Sequence, residues 1–130
     1  MVAPTAFPAS LSPFVRPAIV IELIGDLDRM AARSITEAAG RLAPDEGERI
    51  VLDLQRTNMS DHGGVAALLR GLTELRRRCI DVDVVAASKR SRTALAAARI
   101  RARALLPGDR DARRRHVMIV RNADPERECA

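Results

Sequence analysis

The sequence predicts a small α/β domain with a mostly parallel sheet of four to five strands and helices packed largely on one face. Three observations lead there. Short β-branched apolar runs at 18–24, 50–54 and 80–87 alternate with amphipathic stretches of helical spacing. The connections between them are short. The chain has 130 residues, the length of one domain with two trailing ends. A strand–helix–strand–helix–strand–helix order, with a last short strand, is the pattern of right-handed crossovers over parallel strands.

Residues 1–17 hold four of the seven prolines and form an arm that cannot be helical, with room for an edge strand near Phe14 and Val15. The domain spans 18–121, and a flexible tail runs from 122 to 130. The run Ala18 to Ile24 reads as a buried strand ending at Gly25. Asp28 is placed as an N-cap for a helix that carries Ala31, Ile35, Ala38, Ala39 and Leu42 on one face and stops at Pro44. A polar turn at 45–48 leads to the second strand, Ile50 to Leu54. A second helix follows Asp61-His62-Gly63-Gly64 and puts Val65, Leu68, Leu69, Leu72 and Leu75 on its buried face. Arg76, Arg77 and Arg78 complement its C-terminal dipole. Cys79 closes that helix and reads as a small core residue. In the third strand, Ile80 to Ala87, apolar Ile80, Val82 and Val84 alternate with Asp81 and Asp83, the mark of a half-exposed strand. Ser88 caps an alanine-rich third helix expected over about 90–105. A charged loop at 108–116 precedes a short strand, Val117 to Val120.

Composition narrows the function classes. Hydrophobic residues make up 47% and charged residues 30%, enough for one core and a solvated surface. With only Phe7 and Phe14 as aromatics, the core is aliphatic, and stacking platforms for single-stranded nucleic acid are missing. The formal charge of +5 comes almost wholly from arginine. Cys79 and Cys129 match no metal spacing. No apolar run reaches the ~20 residues of a membrane span, and no basic segment precedes an apolar run at the N-terminus, so the expectation is a cytoplasmic protein without cofactor.

The turn at 60–64 carries the most chemistry. Asp61 stands just before the helix and can accept amide hydrogens from Gly63 or Gly64. A helix start with free N–H groups favours anions. His62 has no nucleophile or second base beside it and reads as an exposed loop residue. Asp26 and Asp28 could pair over a metal, but a strand-end turn and a helix cap account for them.

Two segments together resemble the STAS domain of bacterial anti-sigma-factor antagonists: Ile-Glu-Leu-Ile-Gly-Asp-Leu-Asp at 21–28, and Ile-Val-Leu-Asp-Leu-Gln-Arg-Thr-Asn-Met-Ser-Asp-His-Gly-Gly-Val-Ala-Ala-Leu-Leu at 50–69. The resemblance covers residues 18 to about 100 with the spacing between the motifs preserved. It implies a regulatory, non-enzymatic module that binds an anti-sigma factor or a kinase-like regulator, as a monomer or weak homodimer. In the family, a kinase phosphorylates the second serine of an Asp-Ser-Ser-Gly turn. Here Asp61 matches the aspartate, His62 the first serine, Gly63 the phosphorylated serine and Gly64 the glycine. Gly63 has no hydroxyl, so phosphorylation at that position is ruled out; Ser60 is the nearby hydroxyl that could accept phosphate, the competing reading being ordinary loop or cap hydrogen bonding. The family glycine late in the third helix is replaced by Arg99. The implied partner surface comprises Asp26, Asp28, Asp61, His62, Gly63 and Gly64. A competing reading is a basic nucleic-acid-binding protein that uses the Arg-rich stretch 99–115, with Arg99 and Arg103 on one helix face.

Overall fold

The computed structural model describes residues 18–42, 49–106 and 113–121. The expected arm, the turn at 45–48 and the tail lie outside them. The element order is β1 (Ala18–Asp26), α1 (Arg29–Leu42), β2 (Arg49–Asp53), β3 (Thr57–Asn58), α2 (His62–Arg77), β4 (Val82–Val85), α3 (Lys89–Ala97), β5 (Ala102–Arg103) and β6 (Arg113–Arg121). Every strand pairing among the described residues is parallel. β1 is central, with β2 and the short β3 pairing along it in turn and β6 also paired to it. β4 and β5 follow beyond β2.

Alternation along the strands sorts the two faces. Ile19, Ile21 and Leu23 of β1, Ile50 and Leu52 of β2 and Val84 of β4 point into one core. Ala31, Ile35 and Ala39 of α1, Val65, Leu68 and Leu75 of α2, and Leu95 of α3 close that core from the helical side. Each of the Val, Leu and Ile side chains among them contributes about 1.5–3 kcal/mol when fully buried, so this layer holds the fold together. A smaller cluster on the other face joins Ala18, Val20, Val51 and Val85. α1 and α2 pack so closely that a Cβ at Gly71 would overlap the Thr36 hydroxyl.

α2 begins at His62 rather than after Gly64, so His62 opens the helix instead of lying in a loop, and the short β3 and β5 were not expected. Four further details differ from the sequence reading, each for a local reason. First, α3 ends at Ala97, well short of 105. The amides of Arg99 and Ile100 turn back to the carbonyls of Ala96 and Leu95, and Arg99 takes a left-handed φ of 66°. Arg99 and Arg103 therefore share no helix face; Arg103 lies in β5. Second, the third strand starts at Val82 rather than Ile80, because the Ile80 amide is bonded to the Leu75 carbonyl and finishes α2. Third, Cys79 is exposed, not buried in the core. It occupies the same left-handed position after α2 (φ 62°) that Arg99 occupies after α3. Fourth, β6 begins at Arg113, within the expected charged loop, and runs beside β1 as far as Gly25.

Candidate functional site

The carboxyl end of β1 is shaped by Gly25, whose φ of 111° suits glycine. The chain then turns through Asp26, Leu27 and Asp28 into α1. β3 holds this turn from the side. The amide of Leu27 donates to the Asn58 carbonyl (2.9 Å), and the Thr57 hydroxyl donates to the Leu23 carbonyl (2.7 Å). The Asn58 side-chain amide donates to Asp26 Oδ1 (3.0 Å). Asp26 is thus occupied as a strand-end acceptor, as the sequence suggested.

Asp28 caps α1. Its Oδ1 accepts from the Ala31 amide at 2.7 Å, and its backbone carbonyl accepts from Ala32. From β6, Arg121 Nε donates to both of its carboxylate oxygens, at 3.3 and 3.2 Å. Burial opposes ionisation of Asp28, but the Ala31 amide and the Arg121 guanidinium outweigh it and hold the carboxyl below its usual range.

Asp61 plays the same part for α2. Its Oδ1 accepts from the amides of Gly63 (2.8 Å) and Gly64 (3.3 Å). Gly64 is buried against the preceding loop: a Cβ there would overlap the Leu27 carbonyl oxygen and stand 2.8 Å from the Asp28 Cα. The first turn of α2 and the β1–α1 turn are therefore in direct backbone contact. Gly63 differs. The nearest atoms to a Cβ there would be Arg29 Nε and Asp61 Oδ1, both at 3.2 Å, and Arg29 Nη2 at 3.6 Å, all on side chains. A side chain fits at 63 if Arg29 swings aside; none fits at 64. Ser60, Asp61 and His62 are exposed, and Gly63 is partly exposed.

The structure thus brings Asp26, Asp28, Asp61, His62, Gly63 and Gly64 to one end of the sheet. Sequence reasoning missed four neighbours: Thr57 and Asn58, which tie the turn to β1; Arg29, which lies over Gly63; and Arg121, which reaches Asp28 from β6. A Thr-Asn pair just after a strand was a usable hint. Arg29 and Arg121 carried none, because their positions depend on helix phase and on pairing across 93 residues.

The site carries no arrangement suited to a metal: among the described residues no three His, Cys, Asp or Glu side chains gather as ligands. Among the described residues, no helix is long and apolar enough to cross a membrane.

No curated protein and no solved structure matches the chain. A family model does, over residues 13–108, which take in β1 through β5 and the whole of the turn-on-turn contact just described. It is described as "Mlab, STAS domain", and the chain belongs to the STAS domain family, whose members are generally non-enzymatic regulatory modules acting through protein–protein contacts.

Proposed function

We propose that the chain is a regulatory interaction module of the anti-sigma-factor-antagonist kind, working in the bacterial cytoplasm to control transcription. It docks an anti-sigma factor or a serine-kinase-type regulator through the Asp26–Asp28 turn, the 60–64 turn and the start of α2. One observation carries this reading: Gly64 seats the start of α2 directly on the β1–α1 turn, so two turns distant in sequence are held together at one end of the sheet, with Asp61 and His62 exposed beside them. A partner docking on this end of the sheet has both turns within reach.

Gly63 stands where related turns carry the phosphorylated serine, so this antagonist does not use that switch. It binds constitutively or is controlled elsewhere, with Ser60 as the nearby hydroxyl. The position still senses charge, since a carboxylate at 63 would project beside Asp61 into the docking surface.

The experiment is capture of partners from the source cell with wild type and with Gly63→Asp, together with incubation with the captured kinase and ATP. Loss of one specific partner in the variant, with no phosphate on the wild-type turn, is the expected result. Capture of the same partner by both proteins would overturn the surface. Phosphate on residues 60–64 that releases the partner would overturn the constitutive reading. The nucleic-acid alternative gains nothing from Arg103, which is held by Asp83 at 2.7 and 2.9 Å.

A further inference from the structure

At the opposite end of the sheet, a cleft of about 630 Å³ opens between the last turns of α2, the start of β4 and the loop that follows α3. Beside it, β5 pairs with β4 at Val84 and Val85. The volume falls in the range of small-molecule sites.

Three features of this cleft point the same way. Its apolar wall is built from Leu69, Leu72, Ile80 and Ile100. Its charged lining is five arginines against two aspartates. Two of those arginines, Arg49 and Arg103, are already fixed in place by Asp83 at 3.0 and 2.7 Å, which leaves Arg76, Arg99 and Arg101 exposed at the rim. Arg76 has only a long, solvent-exposed contact to Asp81, at 3.9 Å. The third feature is backbone strain. Cys79 and Arg99 are the non-glycine residues with positive φ among those described, and both line this cleft. L-residues adopt that conformation at a cost; here each closes its helix, and the two helix ends bring both residues to one wall.

We propose that this cleft binds a small, soluble organic anion: a phosphate or carboxylate head held by Arg76, Arg99 and Arg101, with a short apolar body against Leu72 and Ile80. The site is independent of the partner surface. It lies at the other end of α2, whose 16 residues span about 24 Å at 1.5 Å per residue.

Cys79 supplies the reporter, because it is an exposed thiol in the cleft wall. In a Cys129→Ser background, its alkylation by iodoacetamide is timed with and without octyl phosphate, and octyl phosphate binding is measured by calorimetry. Octyl phosphate should bind at one site and slow alkylation severalfold; octanol and inorganic phosphate at equal concentration should not. The double variant Arg99→Gly with Arg101→Gln should weaken binding about tenfold or more, the loss expected for removing charge-assisted bonds. Urea melts of the double variant report whether it stays folded, which separates lost anion contacts from lost structure. Gly63→Asp should leave binding unchanged. Equal protection by octanol would reduce the cleft to an apolar dent, and equal protection by inorganic phosphate would make it an adventitious ion site. Undiminished binding by the double variant, or no saturable binding by wild type, would also overturn the proposal. Arginine-dependent co-sedimentation with anionic vesicles would overturn the commitment to a soluble ligand.

Discussion

At the start of α2, Gly64 lies so close to the Leu27 carbonyl that no side chain fits. Just past its end, Cys79 takes a left-handed backbone angle that glycine would adopt without steric cost. One end of the helix has glycine where packing demands it. The other lacks glycine where the backbone would prefer it, and the same is true of Arg99 after α3. Both helix ends are closed by the same pair of turn-back hydrogen bonds, to Arg76 and Leu75 in one case and to Ala96 and Leu95 in the other. The contrast teaches that a glycine in a turn and a turn without glycine answer different constraints. The first permits two backbones to touch. The second tolerates strain beside a charged cleft.

Substitution tests this contrast directly. The largest effect is expected for Gly64→Ala. With backbone on the other side, neither partner can move cheaply, and chemical denaturation should show a loss of about 3 kcal/mol, the upper part of the overpacking range. Gly63→Ala, one residue away, should stay within about 0.5 kcal/mol, as for an ordinary surface change, because the nearest atoms to the added Cβ are on the Arg29 and Asp61 side chains. If the two cost the same, the distinction between the turn's support and its exposed tip fails.

Next comes the cap. Asp61→Ala removes the acceptor for two amides, and urea midpoints should report a loss of about 1 kcal/mol. Asp61→Asn should recover most of it, since a neutral oxygen still accepts those bonds.

At the C-terminal ends of α2 and α3 the sign reverses. Cys79→Gly and Arg99→Gly should each stabilise the fold by about 0.5–1 kcal/mol, the left-handed cost less the extra entropy of glycine. Destabilisation by either would mean that the side chain, not the backbone angle, decides the turn.

The smallest effect is in pH dependence. The Asp28 carboxyl is held below its ordinary range by the Ala31 amide and Arg121, against the opposing effect of burial. A group whose folded pKa is depressed stabilises the fold above its unfolded pKa, about 3.9 for an aspartate. That contribution fades as pH falls through the lower folded value. Thermal melts should therefore show part of the acid loss below about pH 4 disappear in Asp28→Asn. Arg121→Ala should shrink it, because the depression itself is smaller without the guanidinium. Identical acid profiles for wild type and both variants would remove Arg121 as a support of the α1 cap.

How much of this was readable in advance follows from the range of each interaction. Apolar runs with a period of two or near 3.6 report burial within one element, so β1, α1, β2 and α2 could be read from Ile19–Ile24, Ile35, Ile50–Leu54 and Leu68 alone. Caps act over three residues, so Asp28, Asp61 and Ser88 were legible for the same reason. The end of α3 was not. Ala94 to Ala98 and Arg101 to Ala104 favour helix, and the break at Arg99 depends on Ile100 reaching the core. The fate of Cys79 followed the same logic, because Ile80 rather than its neighbour turns inward to pack. Only the tertiary structure could set Gly64 on Leu27, Asn58 on Asp26 and Arg121 on Asp28. Those contacts join residues far apart in the chain, and their geometry is fixed by how parallel strands line up, which no local pattern encodes.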